Sequence, residues 1–376
     1  MAEPANGSRS AKPRKSRAGL AVLGVILVLA GTGLLFWNEW RSATRVATLV
    51  AGERSLLALQ PGRVPADAAG RLVHLAGSAR PSGAVRDPVF PVVQSALRLD
   101  RIVEMYQWRE RDEGSGDNRT TRYEQVWAEG RIASERFRER VGRQNPAAPP
   151  FASAQFHPVE VLLGVYGVAP ELVDLLPATT AVAVPAGSEM VVQGLALRGD
   201  GAAFVTSQGG RPAIGDVRVR FRTVQGGDLS VLAGLDGSVL RPWPAPNGGT
   251  IALVEPGLRS AREMLGAAYR MNALHTWAIR LAAVLAVFVG LSLLLGQWLR
   301  RAKRLGDPKA SATAPLALVV ALAWTLAVIA LAWALFRPLV SVALVVTSMA
   351  LFGLWRGLAG WWRSSAGTRS SEDGRR

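Results

Sequence analysis

Glu104, Tyr106 and Trp108 occupy alternate positions of VEMYQW, residues 103–108. In an extended strand they share one face, and Val103, Met105 and Gln107 take the other. A carboxylate held among aromatic rings, with a phenol beside it, is a setting suited to a general acid or base. Trp127, at the end of YEQVW (123–127), joins that face if the two segments pair. The chemistry available beyond this is narrow. The chain has no cysteine, which removes thiol nucleophiles, disulfides and cysteine zinc sites. Its three histidines, His74, His157 and His275, are too widely spaced for a paired-imidazole helix motif. No nucleophile, metal cluster or phosphate-binding loop can be placed beside Glu104, so no catalytic, cofactor-binding or metal residue is assigned. The aromatic-acid face can instead hold a lipid, peptide or small ligand. Cross-strand aromatic pairs also stabilise sheets by about 0.2–1 kcal/mol each, which explains them as ordinary structure.

A second candidate pair is Glu39 and Arg280. Each lies beside an apolar run, and if those runs cross a membrane antiparallel, both residues come near the same boundary. An ion pair there would fix helix register at modest desolvation cost. Arg280 can equally reach out to water or phosphate on its own.

The elements that must position these residues follow from charge and hydropathy. Of the net charge of +16, the terminal regions 1–37 and 276–376 supply 17 Lys/Arg against 4 Asp/Glu, whereas residues 38–275 are nearly balanced at 27 against 24. The basic excess flanks apolar runs rather than forming one face, which points to a membrane and away from nucleic acid. Residues 18–37, 314–336 and 338–355 carry no charge, and 276–299 carry only Arg280. Each of the longer runs reaches across a hydrocarbon core at about 1.5 Å per helical residue. Four spans are predicted. Lys12, Arg14, Lys15 and Arg17 precede the first, Arg300, Arg301, Lys303, Arg304 and Lys309 separate the second from the third, and Arg356 and Arg363 follow the fourth. The excess of basic residues on one side then makes both termini cytoplasmic. Residues 1–17 become a basic tail, 300–313 a cytoplasmic loop, 356–376 a cytoplasmic tail, and 38–275 an extracytoplasmic domain. The first run is longer than the roughly 7–15 residues of a signal-peptide core and lacks a small-x-small cleavage site, which argues against cleavage. Trp37, Trp40, Trp277, Trp298, Trp355, Trp361 and Trp362 lie near span ends, as an aromatic belt requires.

The domain at 38–275 is expected to be α+β with an antiparallel or mixed sheet. Val217, Val219 and Phe221 alternate with Arg218, Arg220 and Arg222, a strand with one core face. Ile102–Arg109 and Thr121–Ala128 form a hairpin around the turn formers at 112–118. Further strands are expected at Arg71–Ala76, Met190–Leu197 and Leu229–Leu235, the last turning through Asp236-Gly237 into Ser238–Trp243. Helices are expected at Ser134–Val141, Val159–Tyr166, Glu171–Leu176 and Leu258–Asn272, the last with an apolar stripe leading towards the second span.

Particular strings narrow the reading further. NEWR at 38–41, VEMYQW, YEQVW, IASERF at 132–137, QNP at 144–146, GDVRVRF at 215–221, LSVLAG at 229–234 and NALHTWAIR at 272–280 occur in an order that resembles the transmembrane protein 43 (LUMA) family over most of residues 18–355. Two departures stand out: Trp40 where the family usually has glycine, and Arg143 where it usually has histidine. The resemblance implies a multi-pass protein, in animals of the endoplasmic reticulum and inner nuclear membranes, with a lumenal domain, self-association, and partners such as emerin and lamins. The Ala-, Arg- and Gly-rich composition suggests a bacterial member, for which the inner membrane is the counterpart and lamins do not apply.

Spans one, three and four lack ionisable groups, which disfavours an ion-coupled carrier. Small residues such as those of 314–336 allow close helix packing and homo-oligomers. The expected function is a membrane-organising scaffold acting through its extracytoplasmic domain and self-association. Its partners would be the bilayer, further copies of itself and an unidentified membrane or extracytoplasmic protein, with no cofactor. The alternative is a membrane-tethered enzyme or lipid/small-ligand-binding module.

Overall fold

The computed structural model describes residues 15–65, 68–114, 119–149, 151–206, 211–304, 313–334 and, with gaps, 341–356. The chain divides into two units, residues 1–47 with 267–376 and residues 48–266.

In the first unit, helix α1 (Lys15–Ser55) contains the first apolar run, and α3 (Ala261–Arg304) contains the second. Ala18–Ser55 and Ala261–Leu294 are long and apolar enough to cross a membrane. A further apolar helix, α4 (Thr313–Ala334), covers the expected third span, and the described residues of 341–356 are helical. Much of the basic loop, the tail beyond 356 and the side chains of Trp298 and Trp355 lie outside the described residues, as do Trp361 and Trp362.

Helices α1 and α3 meet along small residues. A Cβ on Gly24 would lie 3.0 Å from the Gly290 carbonyl oxygen, and one on Gly31 would lie 3.1 Å from that of Ala283. Seven residues further, Asn38 Nδ2 donates to the Thr276 carbonyl at 3.2 Å. Gly24, Gly31 and Asn38 therefore step along α1 as Gly290, Ala283 and Thr276 step back along α3. That is the heptad spacing of antiparallel, left-handed helix packing.

The second unit has two cores and a short helix, α2 (Pro170–Val173), overlapping the expected Glu171–Leu176 region. Strands β1 (Leu72–Pro81), β4 (Val161–Leu163), β5 (Tyr166–Val168), β7 (Gly227–Asp236) and β8 (Val239–Arg241) form a closed barrel in the order β1-β4-β5-β8-β7, with β7 pairing back to β1. All these pairings are antiparallel except β5 with β8. This circuit, with the third strand parallel to the fifth, is the Greek-key order of oligonucleotide/oligosaccharide-binding barrels, though topology alone assigns no ligand. Leu75, Leu163, Tyr166 and Val231 are among the side chains filling it.

The second core belongs to a sheet built from the two long insertions in that barrel. Strand β2 (Arg98–Glu113) and its hairpin partner β3 (Thr120–Glu129) come from the first insertion, and β6 (Val217–Val224) from the second. The register of β2 with β6 runs from Arg98 opposite Val224 to Met105 opposite Val217. Val103, Val219, Phe221, Phe90 and Phe204 pack beneath it. The alternation at 217–222 is seen as expected, with the valines and Phe221 buried.

Several local expectations are corrected. Val159–Tyr166 forms β4 and the start of β5 rather than a helix. The apolar run is short enough to satisfy either period, and Gly164 at φ 65° supplies a turn within it. Ser134–Val141 yields only the 3-10 turn Ser134–Arg136. Met190–Leu197 is not one strand but a hairpin, Glu189–Val192 with Leu195–Gly199, turning at Gln193 and Gly194, both of positive φ. A single sheet is replaced by a barrel and a separate sheet.

Candidate functional site

The face of β2 that carries Glu104, Tyr106 and Trp108 is an ion-pair and ring assembly. Register brings Tyr106 opposite Trp127, their centroids 5.3 Å apart. It also sets Glu104 opposite Arg218. Nε–H of Arg218 and of Arg220 each donates to Glu104 Oε2 at 2.9 Å, and the Arg218 guanidinium lies 4.6 Å from the Trp127 ring. Glu104 is buried among these groups. The expected acid among rings is thus a carboxylate already engaged by two arginines, and its geometry is that of a fixed crosslink between β2 and β6. The sequence placed Arg218 and Arg220 on the solvent face of their strand without naming their partner.

On the opposite face, Gln107 is fully buried. Its amide Nε2 donates to the Gly130 carbonyl at 2.7 Å, and its Oε1 accepts from the Ile132 N–H at 2.8 Å. Asn145 clasps the backbone of Trp108 on both sides: its Oδ1 accepts from the Trp108 N–H at 2.8 Å and its Nδ2 donates to the Trp108 carbonyl at 2.9 Å. Ser134 Oγ in turn accepts from the Asn145 N–H. Nearby, the Tyr123 hydroxyl donates to Glu110 at 2.7 Å and accepts from the Glu139 N–H. Burial, followed by the hydrogen bond to Glu110, raises the Tyr123 phenol above its usual value. Trp108 shares the strand face with Tyr106 but lies opposite Gln125. Gln107 and Asn145 were missed as site residues; for Gln107 the available signal was an amide on the core-facing side of its strand, in line with Val103 and Met105.

Glu39 and Arg280 form a bidentate pair, with Arg280 Nε and Nη2 donating to the two Glu39 oxygens at 2.7 Å each. Glu39 is almost wholly buried. Beside the pair runs a polar seam of Asn38, Arg41, Ser42, Asn272 and Thr276. Thr276 Oγ1 donates to the Asn272 carbonyl at 2.7 Å, and Asn272 Nδ2 donates to Ser42 Oγ at 3.1 Å. Among the described residues, no group of His, Asp and Glu is arranged to hold a metal ion.

The family model for Transmembrane protein 43 matches residues 105–338, more than half of the chain. The chain belongs to the transmembrane protein 43 family. Human Transmembrane protein 43 is 30% identical over 350 residues, covering 86% of each chain, and the mouse protein is equally similar. The Drosophila melanogaster homolog is 28% identical over 351 residues, covering 88% of this chain and 92% of its own. No solved structure matches.

In this member of the transmembrane protein 43 family, LSVLAG lies in barrel strand β7, and the other strings behind the resemblance gather in two places. VEMYQW, YEQVW, IASERF, QNP and GDVRVRF meet around β2, while NEWR and NALHTWAIR supply the polar seam of the membrane unit. The departures are accommodated locally. Trp40 is half exposed, and Arg143 stacks 4.1 Å from the Tyr123 ring while pairing with Glu139. The chain is a membrane protein with two candidate spans.

Proposed function

We propose that this protein organises its membrane as a scaffold. It crosses four times, keeps both termini cytoplasmic and displays residues 38–275 outside the cytoplasm, located in the inner membrane of a bacterial host or in the endoplasmic reticulum and inner nuclear membrane of a eukaryotic one. It acts through self-association and through capture of a membrane or extracytoplasmic protein, without nucleic acid or a cofactor. The basic clusters around the apolar runs support the orientation.

The observation that carries the reading is the internal bonding of the family strings. Glu104 is held by Arg218 and Arg220, Gln107 by Gly130 and Ile132, and Asn145 by Trp108. Groups committed in this way hold a surface in shape, which suits recognition of a partner better than turnover of a substrate. The test is to extract the full chain in native lipid particles and measure its mass and co-purifying proteins. A discrete oligomer with a reproducible protein partner is expected. A monomer without any partner would overturn the scaffold role.

A further inference from the structure

Strand β3 ends its sheet. It pairs with β2 along its whole length, from Thr120 opposite Glu113 to Glu129 opposite Glu104, and among the described residues no strand pairs with its other side. The direction of its backbone groups follows from β2. The Tyr106 N–H donates to the Asp216 carbonyl and the Tyr106 carbonyl accepts from the Gly215 N–H, while Asn145 bonds both main-chain groups of Trp108. Even-numbered residues of β2 therefore turn their N–H and C=O away from β3, and Tyr106–Trp127 and Trp108–Gln125 are non-hydrogen-bonded pairs. Thr121, Tyr123, Gln125 and Trp127 then direct their main-chain groups outward from the sheet, where no described residue bonds them.

An open edge is a template for another strand, and proteins usually blunt it with proline, lysine, a bulge or a short length. Strand β3 has none of these: its 10 residues run in unbroken register without Pro, Gly or Lys. Its charges decide what the edge can accept. Arg122 and Glu124 share a face. Arg122 is 70% exposed and comes only within 3.7 Å of Glu113, and Arg109 occupies only Oε1 of Glu124. Because odd residues point their main-chain groups outward, a second β3 laid antiparallel must set odd against odd. With Tyr123 on the twofold axis, Arg122 of each copy lies opposite Glu124 of the other. An axis at Arg122 or Glu124 instead sets that charge against its own copy, which is unfavourable, and one at Gln125 leaves both without an opposite charge across the interface.

We propose that β3 joins two copies of this chain edge to edge, antiparallel about Tyr123, into one continuous sheet. Main-chain bonds link Thr121 of one copy to Gln125 of the other and Tyr123 to Tyr123, and two Arg122–Glu124 pairs fix the register. The same patch serves both copies, so the assembly closes at a dimer. This pairing depends on the self-association proposed above and gives it a surface. It also gives a purpose to the bonds that Glu104 and Asn145 make: they hold β2 straight, and β2 holds the edge strand.

The test co-expresses two differently tagged copies of the full chain and extracts them in native lipid particles. With Thr120→Cys in one copy and Val126→Cys in the other, mild oxidation should join them. Opposed residues of a non-hydrogen-bonded pair have Cα atoms about 4.5 Å apart, within disulfide reach, and the chain has no other cysteine. Two copies that both carry Thr120→Cys should stay separate. Arg122→Glu and Glu124→Arg should each lower recovery of one tagged copy with the other by about tenfold, by replacing two attractive pairs with two repulsive ones. Co-expressing Arg122→Glu with Glu124→Arg should restore it, since each copy then carries one sign at both positions. The cysteine pair decides the matter if either reversal does not fold. An oligomer that persists in both reversals without a 120–126 disulfide would overturn the edge pairing and leave self-association standing, whereas a monomeric wild type would overturn both.

Discussion

Gly24 and Gly290 pack backbone against backbone: a Cβ added to Gly290 would lie 2.7 Å from the Gly24 carbonyl oxygen, closer than real Cβ contacts come. Within the membrane unit this contact sets how near α1 and α3 approach, and side chains cannot relieve a clash with a carbonyl. Gly290→Val is expected to destabilise the unit by about 1–3 kcal/mol, the usual cost of overpacking. Gly33→Val serves as the control, because nothing lies within 4 Å of its added Cβ. Thermal unfolding in native lipid particles should separate the two, and equal melting of both variants would refute the close contact.

We further propose that the Glu39–Arg280 pair fixes the register of the two helices. Either reversal, Glu39→Arg or Arg280→Glu, sets two like charges together where Glu39 is 1% exposed. Each is expected to cost about 3–5 kcal/mol, as for removal of one partner from a buried pair. The double swap should recover most of the loss of assembled protein on a sizing column. If it recovers none, the register role is wrong and Arg280 acts alone.

Much of this arrangement was legible beforehand, for identifiable reasons. Glu39 and Arg280 stood out because charge is rare beside long apolar runs, and the faces of β2 and β6 followed from a period of two. Glu104 was placed on the correct face, yet its environment was misread because its partners, Arg218 and Arg220, lie over a hundred residues away and only register brings them together. Asn145 was invisible for a similar reason: its side chain replaces a strand neighbour for Trp108, and no periodicity marks such a residue. The barrel was hidden because β4 and β5 are three residues each, too short for period to distinguish strand from helix.

Removing the acceptor at the centre of the sheet provides a third test. Glu104→Ala leaves the Arg218 and Arg220 guanidiniums facing each other without a carboxylate, and a loss of about 2–3 kcal/mol is expected. Replacing all three by Glu104→Leu, Arg218→Leu and Arg220→Leu should restore part of that loss, since a buried charge network can be exchanged for apolar packing. Chemical denaturation of the full chain in lipid particles reads both. A Glu104→Ala protein as stable as the wild type would show that the crosslink contributes nothing.

Tyr123 gives the alkaline limit. Its hydroxyl is desolvated and donates to Glu110, and both effects favour the neutral phenol and raise its folded value above 10.0. The unfolded chain loses this proton at about 10. The stabilisation is therefore fully present below that pH and is lost as pH rises through the higher folded value. Tyr123→Phe should lower stability at neutral pH, and the difference from wild type should shrink as the medium is made strongly alkaline. Tyrosinate absorbance, taken as wild type minus Tyr123→Phe, should show an ionisation midpoint above that of free tyrosine. A midpoint at or below the free value would mean that the Glu110 hydrogen bond is not held in the folded protein.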